Sequence, residues 1–211
     1  MENVYLGVVL FPLIGAIIAG LFGRQVGRTG AHVVTIAGVA ISFVLSVVTF
    51  NHIVLGDATP YNGSVYTWLV SDGIKFEVGF LIDNLTALMM LVVTFVSLMV
   101  HIYTIGYMRD DPGYQRFFSY ISLFTFSMLM LVMANNFMQL FFGWEAVGLV
   151  SYLLIGFWFK RPSAIYANLK AFLVNRVGDF GFLLGIAAVL MYFNSLDYAD
   201  VFAAAPLMAD M

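Results

Sequence analysis

Six apolar runs, each close to the length that crosses a bilayer, recur along this chain at about residues 4–22, 31–53, 84–107, 114–133, 136–158 and 164–193. A hydrocarbon slab of about 30 Å takes roughly 20 residues of helix. Lipid offers no partner to a backbone amide, so runs of this length are read as helices that satisfy their own N–H and C=O groups. The expectation is an all-α polytopic membrane protein of about six transmembrane helices, with a β-hairpin on the membrane surface. Composition agrees. Only 10% of the 211 residues are charged and mean hydropathy is +0.96, against about 25% charged residues in soluble domains.

The connections are short and polar. Pro12 lies inside the first run and predicts a kink, while Pro60, Pro112, Pro162 and Pro206 fall in proposed connections. Glu2 stands where a signal peptide would carry basic residues, so the first run reads as a retained helix. The hairpin is placed near 61–80. Val65–Val70 has strand composition and Asp72-Gly73 is a turn signal. Ile74, Phe76, Val78 and Phe80 then alternate with Lys75, Glu77 and Gly79. Asp83 is positioned to cap the third helix, Asn135-Asn136 reads as a tight turn, and the tail from Asn194 is acidic and rich in alanine.

Basic residues set the sidedness. With the N-terminus outside, the inside loops hold Arg24, Arg28, Arg109, Arg116, Lys160 and Arg161, and the outside loops only Lys75. Positive charge concentrates in cytoplasmic loops of membrane proteins. The net charge of -3 provides no footprint for nucleic acid. With no cysteine, disulfides and thiolate chemistry are excluded. The three histidines are too scattered to predict a metal site, and there is no phosphate loop or dinucleotide fingerprint.

The ionisable residues inside the apolar runs are the functional candidates. Glu145 sits near the middle of FFGWEAVGLVSYLLIGFW, residues 141–158. A charge there costs on the order of 2.5–3.5 kcal/mol on insertion scales. It reads either as a proton- or ion-exchanging carboxylate or as a structural, protonated one. Gly148 and Gly156 on the same helix predict close helix packing, and Gly178, Gly181 and Gly185 on the next do the same. Asp179 follows Arg176 by three residues on one helical face, so the two form either part of a polar line with Glu145 or a self-neutralising structural pair. Lys170 reads as a proton-path residue or as an interfacial lysine snorkelling to the headgroups. His101 reads as a packing histidine or a proton relay.

The stretch GWEAVGLVSYLLIGF (143–157) resembles the signature of the L-type, chain 5-like antiporter-like membrane subunit of respiratory complex I, the proton-translocating NADH:quinone oxidoreductase. LIDNLTALMM (81–90), HIYTIGYMRDDPGYQRFFSYISLF (101–124) and KAFLVNRVGDFGF (170–182) are similar to the same family in order and spacing. The resemblance implies that Glu145, Asp179, Arg176 and Lys170 belong to a proton path, with Lys170 in a less defined role. It implies no redox cofactor on this chain, FMN, iron–sulfur clusters and quinone being held by other subunits. Partners would be other membrane-arm subunits, the M-type antiporter-like subunit especially, together with lipids. The membrane would be a bacterial inner membrane, or alternatively the mitochondrial one. The family's subunit is longer, built on inverted helical repeats, with a buried lysine in a broken seventh helix. This chain is therefore expected to be its N-terminal portion: residues 1–110 as three leading helices with the hairpin, 111–211 as helices four to six beginning the first repeat. Two other functions share these features, a multisubunit sodium/proton antiporter and a structural anchor whose charges only fix packing.

Overall fold

The computed structural model describes residues 1–71 and 74–208. The chain runs α1 (Glu2–Leu21), α2 (Gly23–Phe50) with a π-helical turn at Asn51–Leu55, β1 (Tyr61–Ser71), β2 (Ile74–Ile82), α3 (Asn84–Tyr107), α4 (Tyr114–Val132), α5 (Phe137–Ile155), α6 (Pro162–Phe193) and α7 (Tyr198–Met208). Six of these helices, all but α7, are long and apolar enough to cross a membrane. The strands form one antiparallel hairpin, Tyr61 opposite Ile82 and Ser71 opposite Ile74. The Asp72-Gly73 turn expected between them lies outside the described residues. The hairpin reaches two residues further than expected, because Leu81 and Ile82 keep pairing with Asn62 and Tyr61.

Helices α1, α2 and α4 pack against one another, and hydroxyl groups organise their seams. Pro12 has no N–H, so the carbonyl of Val8 loses its helical partner. The Ser42 hydroxyl of α2 donates to that carbonyl. From α4, Ser122 donates to Pro12 O at 2.8 Å and Ser119 to Ala16 O at 2.7 Å. The gap that Pro12 leaves in the helix is thus filled by a neighbour, as an apolar solvent requires. Gly38 lets α2 close on this point: a Cβ there would stand 2.7 Å from Phe11 O. The second helix begins earlier than its apolar run, with a break at Gly27, whose φ of 67° favours glycine.

The two ends of the bundle differ. At one end the hairpin is bolted to the helices. Leu81 N donates to Met133 O (3.0 Å), Gly79 N to Gln139 Oε1 (2.8 Å) and Asn136 Nδ2 to Glu77 O (3.1 Å). Asp83 caps α3 by accepting from Thr86 N at 2.7 Å. Asn136 is also a cap, accepting from Gln139 N at 2.8 Å, so the expected tight turn at Asn135-Asn136 lies in the short link between α4 and α5 and leads directly into α5. The Ala-rich tail forms α7, an element the sequence reading did not assign. Tyr198 N donates to Asn135 O at 3.1 Å. Burial against Phe137 pushes the Tyr198 phenol up to about 12. A buried cluster including Tyr5, Val8, Phe80, Ile82, Met90 and Met133 fills this end.

At the other end the connections are basic. Arg28 donates to the carbonyl oxygens of Arg109 and Asp111. Asp111 accepts from Gly113 N at 2.7 Å and from Trp158 Nε1 at 2.9 Å. Arg116 donates to Phe157 O at 3.2 Å and lies over the Phe157 ring. Three connections, distant in sequence, therefore meet here, which matches the alternation of loops expected from the charge count.

Candidate functional site

Helices α5 and α6 are antiparallel neighbours joined by the short connection 156–161. Asn136 fixes the start of α5, and Pro162, whose missing N–H costs nothing in the first turn, starts α6. Gly156 allows the helices to approach, since a Cβ there would lie 2.9 Å from Asn168 Cγ. Glu145 is the ninth residue of the nineteen in α5, and the antiparallel pairing brings it level with Arg176 of α6. Arg176 Nη1 forms an ion pair with Glu145 Oε2 and a second, at 3.3 Å, with Asp179 Oδ2. One rung away, Trp144 Nε1 donates to Asp179 Oδ1 at 2.8 Å. The guanidinium also lies over the Phe172 ring, 4.6 Å from its centroid.

Partial burial makes these charges count. The side chains of Arg176, Glu145 and Asp179 retain 33%, 25% and 12% of their exposure, so water screens them less than a surface pair. Two carboxylates share one guanidinium. With both ionised the triad carries one negative charge, and a single proton makes it neutral. Beside it lies a cavity of about 320 Å³ lined by Ser151, Asn175 and Asp179 among others, roomy and polar enough for several waters.

The structure brings together three of the four residues singled out from sequence. The self-neutralising Arg176–Asp179 pair is present, but it is not closed on itself, because Arg176 also reaches Glu145. Lys170 is exposed on α6, in the part nearer the basic end, six residues before Arg176, or about 9 Å along the axis at 1.5 Å per residue. It does not join the triad. Gly148, Gly178, Gly181 and Gly185 have no described atom within 4 Å of where a Cβ would stand, so they make no close helix contact here. His101 is fully buried, with Nδ1 2.8 Å from Ser97 O. His32 meets the Tyr114 hydroxyl at 2.9 Å. No group of three metal-ligating side chains occurs among the described residues. Sequence reasoning missed Trp144 and Phe172. The signal for Trp144 was available: an indole N–H in an apolar helix needs an acceptor, and the only acidic side chain of helix six lies on the facing surface.

The fold is that of a polytopic membrane subunit whose fifth and sixth helices share a charged seam. Residues 68–118 match the family described as NADH-Ubiquinone oxidoreductase (complex I), chain 5 N-terminus, and residues 134–211 match NADH:quinone oxidoreductase/Mrp antiporter, TM. NADH-quinone oxidoreductase subunit L of Neisseria meningitidis serogroup B is 68% identical over 206 residues, covering 97% of this chain and 31% of the relative. Two solved structures share the fold. One is a chain of the membrane-bound sulfane sulfur reductase, an archaeal respiratory membrane complex (TM-score 0.82, 18% identity, 98% of this chain and 40% of that one). The other belongs to the Mrp complex of Dietzia sp. DQ12-45-1b (TM-score 0.78, 23% identity, 94% and 20%). The chain belongs to the L-type, chain 5-like family of NADH:quinone oxidoreductase membrane subunits and corresponds to the N-terminal third of the curated relative it matches.

Proposed function

We propose that this chain is part of a proton-translocating subunit in which Glu145 exchanges a proton and Arg176 redistributes between two carboxylates in response. The observation that carries this is the shared guanidinium: Arg176 pairs with both Glu145 and Asp179. When Glu145 takes a proton it becomes neutral, and Arg176 pairs with Asp179 alone. When the proton leaves, Arg176 is shared again. Asp179 keeps the indole N–H of Trp144 as a second donor throughout, so Glu145 is the carboxylate free to change. Lys170 lies nearer the basic end, and we assign it to the approach to this centre. Electron transfer from NADH to quinone would occur in other subunits, which also hold FMN and the iron–sulfur clusters, and would drive the charge change through the membrane arm. The partners are other membrane-arm subunits, the M-type subunit in particular, and lipid. The basic end faces the inside of an energy-transducing membrane, bacterial or mitochondrial, which leaves the N-terminus, the hairpin and α7 outside.

The test is Glu145→Gln in the full-length protein within its complex. Electron transfer is expected to persist with fewer protons moved per electron. Unchanged pumping refutes the proposal, and unchanged pumping with less assembled complex favours the anchor reading. The family matched over residues 134–211 also takes in the Mrp antiporter, so sodium/proton exchange is the second reading, and a weaker one. Sodium-dependent transport without NADH oxidation would select it.

A further inference from the structure

We infer that Trp144 is a positioning residue for the proton-exchanging centre, holding Asp179 where Arg176 can move between the two carboxylates. The inference rests on the proposed role of Glu145 and extends it to a residue that touches neither Glu145 nor Arg176 in a polar contact.

The geometry divides the Asp179 carboxylate between two donors. Oδ1 accepts from the indole of Trp144 at 2.8 Å, and Oδ2 faces Arg176 Nη1 at 3.3 Å. An ionised carboxylate only accepts hydrogen bonds, so each oxygen has its own donor. Asp179 is the most buried member of the triad, at 12% exposure, and an aspartate is held on a stem with two rotatable bonds. Released from the indole, it is free to turn into the adjacent polar cavity, which it already lines, and away from Arg176. Arg176 would then stay with Glu145 in both protonation states. The indole is itself held: its ring meets the Phe182 ring edge-on at 5.8 Å, and Phe182 meets Phe141 at 5.9 Å. Phe182 follows Asp179 by three residues, and Trp144 precedes Glu145 by one. One turn of α6 therefore offers both the acceptor for the indole N–H and the ring that orients it. The helices meet as two rungs, Trp144 with Asp179 and Glu145 with Arg176, so the position of Asp179 is set by α5.

The test uses the full-length protein in its complex, measuring NADH-driven proton translocation against pH. Trp144→Phe keeps an aromatic ring at this position and removes the donor, together with part of the ring volume. Its pH profile is expected to move and its translocation rate to fall by roughly two- to ten-fold, the scale of one hydrogen bond. In an Asp179→Asn background, Trp144→Phe is expected to add no further shift. Phe182→Leu loosens the ring that orients the indole but leaves the N–H, and is expected to move the profile in the same direction by a smaller amount. An unshifted Trp144→Phe profile overturns the inference, as does an equal shift in Phe182→Leu. Glu145→Gln separates the two claims. If it pumps normally the reading of the triad fails, and if it is impaired while Trp144→Phe is normal only the role of Trp144 fails.

Discussion

At the scale of single residues, polar side chains here act by completing something the backbone or another charge lacks. Pro12 leaves the Val8 carbonyl without a helical donor, and Ser42 supplies one across the seam. Ser42→Ala is expected to destabilise the protein by about 1–3 kcal/mol, the cost of a buried acceptor left unmet. Unfolding of the purified protein in detergent measures this, and a neutral substitution would mean that the Val8 carbonyl is satisfied otherwise. The missing donor was legible in the sequence because proline removes one wherever it stands. Its repair was not legible, since any hydroxyl on any neighbour could have supplied it. Glu145 was legible for a similar reason: a charge in an apolar run declares itself whatever surrounds it. Trp144 was hidden because tryptophan is ordinary in an apolar helix, and only the facing helix reveals what its N–H is for.

At the scale of elements, the sequence placed α3 and α4 to within a residue because Asp83 and the run from Met108 to Gly113 mark their limits sharply. It placed the start of α5 equally well, at Asn136, and its end less well, because the apolar residues run on past Ile155 to Trp158 without helix. It left α7 unassigned because a short alanine-rich segment with Pro206 carries no periodic signal. The basic connections are tied by Asp111, and this gives a pH dependence. Burial pushes the Asp111 carboxyl up, but the Trp158 indole, the Gly113 amide and the charges of Arg116 and Arg161 outweigh it and hold it below its usual 3.8. A carboxylate lowered on folding stabilises the fold at pH values above 3.8 and loses that contribution as pH falls through its lowered value. Acid titration of tryptophan emission is expected to show a transition below the ordinary carboxylate range that disappears in Asp111→Asn. A transition that persists in the variant would assign it to another group.

At the scale of the whole molecule, the order of the six helices and the grouping of their connections at two ends followed from apolar run length and loop charge. How α6 joins the bundle did not, because its glycine spacing suggested close packing that the described residues do not supply. Instead α6 lies mainly along α5, with α7 at its end, and most of its surface is exposed. The Glu145–Arg176–Asp179 triad is therefore both the candidate proton centre and a large part of what holds that seam. If Arg176 is shared, either carboxylate alone can neutralise it, and only losing both strands a partly buried cation. Stranding such a charge is costly, about 3–5 kcal/mol when it is fully buried. The decisive measurement is the unfolding stability of the full-length protein carrying Glu145→Gln, Asp179→Asn and the two together. The double variant is expected to lose about 1–3 kcal/mol more than the sum of the single losses. Losses that add to within about 0.5 kcal/mol would contradict a shared guanidinium.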